Sequence, residues 1–242
     1  MQHSLTDDAP STRATSPKLT ARLLTPRDLP QLEALERDKW TDEQAASRAQ
    51  MTERMETHPE LCVGAFSARS GQLMASLFMK PTSPDFWKHA KTWSDCVEAA
   101  TPLRTSSLFG ISLSSRSPAG VLAILDFFWP RALIDGWRDI YLGSPVPGWL
   151  AWRERNPRSG ITHYVRQRRA GVPLDPQLRY YFSRGFRDMI CVKRNYFPHQ
   201  RSQDHGVILR GTVPLSSLAP VWRALPPRLT CGITRRLSSV CL

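Results

Sequence analysis

The sequence predicts an α/β domain with one mixed, mostly antiparallel sheet, a central parallel strand pair and flanking helices. Three observations predict it. The stretch Ser107–Pro130, SLFGISLSSRSPAGVLAILDFFWP, reads as a strand, a polar turn and a buried helix. A further strand, Asp139–Gly143, follows that helix, so the crossover should set it parallel to the Ser107 strand. Two strand pairs flank this unit: Leu61–Ser67 with Gln72–Met79, and Asp188–Arg194 with His205–Val213.

Taken in order, residues 1–18 are polar and read as a disordered leader, without the apolar segment of a secretory signal. Thr20–Leu24 reads as a first strand. Thr25-Pro26-Arg27-Asp28 then starts a helix, with Thr25 as N-cap, Pro26 in the first position and Asp28 closing a capping box. Leu29, Leu32 and Leu35 follow at helical spacing, and the helix ends near Trp40. Thr41, with Gln44 in the box position, opens a second helix that His58-Pro59 closes. Ala68-Arg69-Ser70-Gly71 turns the first hairpin. Pro81–Ala100 carries Phe86, Trp87, Trp93 and Val97 and reads as a loop and a helix packed on the sheet.

In the central stretch, Ser114–Ser117 is the turn and Pro118 suits the first helical position, where its missing N–H costs nothing. Ala119–Trp129 is almost wholly apolar, as a buried helix is, and Pro130 is expected to end it. Ser144–Gly171 is the least regular region. Its Trp149, Trp152 and arginines (Arg153, Arg155, Arg158, Arg166, Arg168, Arg169) read as a lid, a binding face, or a loop anchored by tryptophans. Asp175–Arg184 is a short helix and Gly185-Phe186 a turn. Leu215–Leu242 shows no clean period and reads as an irregular basic tail, with a short helix near Leu218–Leu225. The expected units are thus a leader (1–18), a folded domain (19–214) and the tail (215–242).

Charge narrows the partners. Against 21 Asp and Glu stand 33 Lys and Arg, a net +12, which favours anionic partners. No apolar run of about 18 residues exists, so no membrane span is expected. The cysteines, Cys62, Cys96, Cys191, Cys231 and Cys241, are odd in number and lack metal-ligand spacing. A reducing cytoplasm is the expected setting, and no metal is expected. Ser–His–Asp, zinc and Walker patterns are missing from the sequence, which ranks hydrolase and nucleoside-triphosphate chemistry low.

A strand that feeds a helix through a small-residue turn leaves backbone N–H groups free at the helix start. With the helix dipole they suit an anion such as a pyrophosphate, and Arg116 adds a charge. An ordinary strand–turn–helix without ligand is the alternative reading.

These residues resemble the GCN5-related N-acetyltransferase (GNAT) family. There a turn of the form Q/R-x-x-G-x-G/A at a helix start holds the pyrophosphate of acetyl-CoA. Arg116-Ser117-Pro118-Ala119-Gly120-Val121 stands in that place. Arg116 fits, while Ala119 and Val121 replace small residues and Pro118 removes one amide. The family's Tyr-x-x-x-Gly-Phe, after its last helix, is matched by Tyr181-Phe182-Ser183-Arg184-Gly185-Phe186. That tyrosine often protonates the departing CoA thiolate, which a phenol, neutral at pH 7, can do.

A narrower resemblance spans about Leu19 to Val213. Leu35-Glu36 with Trp40, His58-Pro59-Glu60, Asp175-Pro176-Gln177-Leu178-Arg179-Tyr180 and His205-Gly206-Val207 are similar to GNAT-like domains of polyketide synthase loading modules. They are also similar to GNAT domains fused to nitrilase-like enzymes. Some loading domains decarboxylate malonyl-CoA and load acetyl onto an acyl carrier protein. Those place a His where Tyr181 stands and a Thr near Ser144. A His can pair with a malonyl carboxylate or protonate an enolate, whereas a tyrosine suits plain acyl transfer.

The resemblance implies a GNAT-like acyltransferase moving acetyl or another short acyl group from acyl-CoA by direct attack. The acceptor would be a small-molecule amine or the thiol of an acidic acyl carrier protein docked on the Arg153–Arg169 region. Leu113, Ser114, Arg116, Ala119, Gly120 and Val121 would border the CoA. Tyr181 would be the general acid, and Trp40 and Ser144 would line the substrate. No general base is placed: Ser107–Ser115 lacks Asp and Glu, and nothing in the sequence positions Glu33, Glu36 or Glu60. A thiol acceptor needs a base less than an ammonium does. Two rivals stay open: a catalytically silent GNAT-like module binding a carrier protein or anionic ligand, and a malonyl-CoA decarboxylase/S-acyltransferase of the loading-domain type. Nucleic acid is not an expected partner, because only charge and Arg/Trp interleaving point to it.

Overall fold

Seven strands form one sheet in the order β1-β2-β3-β4-β5-β9-β8 in the computed structural model, which describes residues 18–241. The strands are β1 (Leu19–Leu23), β2 (Cys62–Ser67), β3 (Leu73–Thr82), β4 (Ser107–Ser115), β5 (Asp139–Pro145), β8 (Asp188–Lys193) and β9 (Gly206–Thr212). Neighbours pair antiparallel except β4 and β5, the expected parallel pair. A two-residue ribbon, β6 (Arg168–Arg169) with β7 (Val172–Pro173), stands apart.

The strand period of two divides the side chains between two layers. Phe66, Phe78, Phe109, Tyr141 and Ile208 face α1 (Leu29–Lys39), α2 (Arg48–Thr57) and α3 (Trp93–Glu98). Their alternates face α4 (Pro118–Asp135), through Val63, Ala65, Ala75 and Leu108. Further along this face α5 (Trp149–Arg155), α6 (Ile161–Arg166) and α7 (Pro176–Phe182) cover Leu142, Val207 and Leu209.

The Thr25 capping box forms as expected, first as a single 3-10 turn, Pro26–Asp28, and then as α1. Asp28 also takes a two-pronged ion pair from Arg22, at 2.7 Å to each oxygen, which ties β1 to the helix start. The second helix begins later than expected. Ser47 and Gln50, not Thr41 and Gln44, make the box: Ser47 Oγ accepts from the Gln50 amide and Gln50 Oε1 accepts from the Ser47 amide. Thr41–Ala46 stays a turn because its Ala46 amide is drawn to the Glu36 carboxylate at 3.2 Å.

Pro130 does not end α4, which runs on to Asp135 and stops at Gly136, in the left-handed region at φ 82. Proline keeps a helical φ and lacks only the N–H. Burial of Trp129, Ala132 and Leu133 on the sheet outweighs that loss. Within the irregular region the structure places α5, α6 and the β6–β7 ribbon. Trp149 and Trp152 stack with centroids 5.9 Å apart and pack on Tyr164, so they anchor this segment.

In the tail the expected short helix forms as α8 (Ala219–Ala224), and the rest, expected to be irregular, forms a second helix, α9 (Pro227–Cys241). Ile233 and Leu237 pack on the Phe128–Leu133 end of α4, and Thr230 and Thr234 are buried beside them. The apolar spacing is four residues, but Thr230, Thr234 and Gly232 dilute it, and Pro226-Pro227 reads as a break rather than a start. Apart from Lys18, the expected leader lies outside the described residues.

Candidate functional site

β4 and β5 pair from Ser107↔Asp139 to Gly110↔Leu142 and then part. A bulge at Ile111 is the cause. The β3–β4 register steps from Met79↔Gly110 to Phe78↔Ser112, leaving Ile111 as an extra residue. Such a residue bends its strand and increases its twist. Beyond it β4 stays with β3, while β5 stays with β9. A cavity of about 350 Å³ opens in the gap.

This cavity reaches both layers. Glu36, Trp40, Arg54, Trp93, Tyr196 and Phe197 line it from the α1–α3 side. Val121, Ile124 and Phe128 of α4, and Gln177, Tyr181 and Arg184 in and after α7, line it from the other. Leu113 lies on the open edge of β4 between them.

Four of the expected site residues, Trp40, Leu113, Val121 and Tyr181, meet on this cavity. Tyr181 is half-buried, in edge contact with Tyr180 and Phe186. Burial pushes its phenol above the ordinary value, and a hydrogen bond with Gln177 opposes this only in part. The group is therefore protonated at neutral pH and able to donate.

The remaining expected residues do other work. Arg116 is drawn back onto the scaffold: its Nε pairs with Asp38 at 3.1 Å and its Nη1 donates to the Leu73 carbonyl at 2.8 Å. Gly120 serves helix–sheet contact, since a Cβ there would lie 2.9 Å from the Ala75 Cβ. Ala119 is exposed at the start of α4 and does not line the cavity. The anion seat is narrow. The Arg116 amide is spent on the Met74 carbonyl, the Ser117 amide on Ser115 Oγ and the Gly120 amide on Ser117 Oγ. Pro118 has no N–H, and among the described residues no such partner stands against the Ala119 amide.

The Ser114 side chain is part of a buried polar chain. Trp40 Nε1 donates to Ser114 Oγ at 2.7 Å, and Ser114 Oγ donates to Glu36 Oε1 at 2.5 Å. Ser144 is fully buried, its hydroxyl donates to the Pro145 carbonyl at 2.9 Å, and it stands outside the cavity lining.

Three lining residues were given no place in the site from sequence. Glu36, present in the Leu35-Glu36/Trp40 resemblance but left unplaced, follows Leu32 by four positions, so it faces inward with the core stripe of α1. Arg54 lies between Met51 and Met55 on the buried stripe of α2. His199 belongs to the β8–β9 connection and carried no signal. Its Nδ1 accepts from the Ser202 amide at 3.2 Å and lies 2.7 Å from Ser202 Oγ, which places the ring proton on Nε2. Burial and nearby Arg201 lower its pKa, so the ring is neutral near pH 7.

Solved structures share this architecture. A GNAT-like decarboxylase, GphF, in complex with isobutyryl-CoA is 23% identical; 80% of this chain aligns with 98% of that one at a TM-score of 0.66. The loading GNATL domain of CurA from Lyngbya majuscula is 15% identical, with 81% and 98% aligned and a TM-score of 0.69. The NatC complex bound to Gag peptide and CoA matches at 12% identity over 81% of this chain, with a TM-score of 0.51. No family model matches the sequence, and no curated protein matches it. The chain has the GNAT fold.

Proposed function

We propose that this protein is an acyl-CoA-dependent acyltransferase that works by direct attack of the acceptor on the thioester. The observation that carries the reading is a cavity that passes through the sheet at the β4/β5 gap, with a protonated tyrosine on its wall. β4 beyond Gly110 has one edge without a β5 partner, so the amide-bearing arm of CoA can add to it as a short extra strand. The apolar side chains of α4 cover that arm, and the thioester lies in the gap. An acceptor lone pair attacks the acyl carbon, the C–S bond breaks, and the thiolate takes the Tyr181 proton. The neutral donor fits this step, because a phenolate there would repel the leaving thiolate.

Titration calorimetry with acetyl-CoA, malonyl-CoA and free CoA tests the reading. Saturable binding of any one supports it and ranks the acyl group. No binding to all three by folded protein overturns it in favour of the silent binding module. Tyr181→Phe should keep CoA affinity and lower turnover by roughly 10²-fold or more. An unchanged rate removes Tyr181 from the acid role.

A further inference from the structure

Acyl release through Tyr181 leaves one charged part of the cavity wall unused. Glu36 and Arg54 line it from the α1–α2 side and are buried, at 2% and 8% exposure. Arg54 Nη1 has no hydrogen-bond partner, although it is fully enclosed. Glu36 holds one donor on each oxygen, Ser114 Oγ and the Ala46 amide, which leaves lone pairs to spare. Glu36 acts on Arg54 through space, yet among the described residues no ion-pair contact joins the two. A buried guanidinium left partly unpaired is costly, and a ligand that pairs it recovers that cost.

The two opposite charges select among ligands. A simple carboxylate would gain Arg54 and meet repulsion from Glu36. A simple ammonium would gain Glu36 and meet repulsion from Arg54. A molecule carrying both groups satisfies both walls and brings no net charge into the cavity. Aromatic edges of Trp40, Trp93 and Phe197 surround this end, with centroid distances of 6.2 and 5.8 Å from Phe197 to the two tryptophans.

We infer that this end of the cavity takes a free α-amino acid with an apolar side chain as the acyl acceptor, its carboxylate on Arg54 and its amino group beside Glu36. The inference rests on the acyltransferase reading and adds the acceptor class. The amino acid enters as its zwitterion, and Glu36 takes one ammonium proton. The freed lone pair attacks the thioester carbon, the C–N bond forms and the C–S bond breaks. The thiolate takes the Tyr181 proton, and the second nitrogen proton returns to the Tyr181 oxygen. The products are an N-acyl amino acid and CoA, and Glu36 releases its proton to water.

The test follows N-acylation by mass spectrometry, with the best-binding acyl-CoA and a panel of acceptors. The panel holds free amino acids, their methyl esters, the matching decarboxylated amines and N-acetylcysteamine as a thiol. At least one apolar amino acid should be acylated, with kcat/KM about tenfold or more above its methyl ester and its amine. Arg54→Met should abolish that preference while acyl-CoA affinity, measured by calorimetry, stays unchanged. Arg54→Lys should restore part of it. If Arg54→Met does not fold, the ester and amine comparison in the wild-type protein decides. Transfer to the thiol alone, equal rates for acid and ester, or acyl-CoA binding with no amino acid acylated each overturn the inference and leave the acyltransferase reading standing. Failure of the wild-type protein to bind any acyl-CoA overturns that reading and this inference with it.

Discussion

Replacing Ser114 with alanine removes a hydroxyl that serves two partners. Ser114 is 1% exposed, accepts from Trp40 Nε1 at 2.7 Å and donates to Glu36 Oε1 at 2.5 Å. A hydrogen bond to a charged group contributes about 1.5–3 kcal/mol and a neutral one about 0.5–1.5 kcal/mol. Loss of both should cost roughly 2–4 kcal/mol, toward the lower end if water from the adjoining cavity reaches Glu36. Ser76 supplies the matched control. It sits directly opposite Ser114 in the β3–β4 register and is equally buried, but its hydroxyl has no partner. Ser76→Ala should therefore leave stability unchanged or raise it by up to about 1 kcal/mol. In a chain of this size about 3 kcal/mol corresponds to a drop of roughly 6–12 °C in Tm. Thermal unfolding followed by far-ultraviolet circular dichroism reads both variants. Equal shifts for the two serines, or a stable Ser114→Ala, would refute the network.

Gly120→Ala should lower stability by roughly 1–3 kcal/mol through overpacking, because the new Cβ meets Ala75 at 2.9 Å; a melting curve checks it. Arg116→Met should lower Tm while leaving acyl-CoA affinity within about twofold, because its hydrogen bonds run to Asp38 and the Leu73 carbonyl; calorimetry separates this from a phosphate-binding role. Ile233→Asp should lower Tm by several degrees, since Ile233 packs on the α4 cluster, whereas an unattached tail predicts no change. Burial raises the Asp28 pKa, but the Arg22 and Thr25 hydrogen bonds outweigh it and hold the carboxyl below its usual value. Its stabilisation is present above the unfolded pKa of about 3.9 and is lost as pH falls through the lower folded value. Asp28→Asn should flatten that acid limb of a Tm-versus-pH curve.

Local signals marked most elements, because they depend on neighbours in the chain. The Thr25–Asp28 box, the Gly71 turn and the short helix after Asp175 all appear where their residues predict them. Competition between equal local signals was not legible. Two capping boxes were available after α1, and the bond from Ala46 to Glu36, ten residues back, decided for Ser47. Pro130 was overridden in the same way, by packing of the residues around it.

For the site, the chemistry of single residues was readable and their meeting was not. The Tyr181 motif and the aromatic Trp40 stand out through resemblance to a family pattern, and both line the cavity. Arg116 looked equally apt, yet the direction of its side chain depends on Asp38, which is 78 positions away. Glu36, Arg54 and His199 come from three separate segments, and only the tertiary fold brings them to one wall.

By itself the sequence determined the α/β class and the parallel pair around the central helix. These follow from periodicity, caps and turn residues, which act over a few positions. Only the tertiary structure decided where β4 leaves β5, because one extra residue at Ile111 shows itself solely against the register of β3. It alone also decided which charges share the gap, because burial and pairing are properties of neighbours in space.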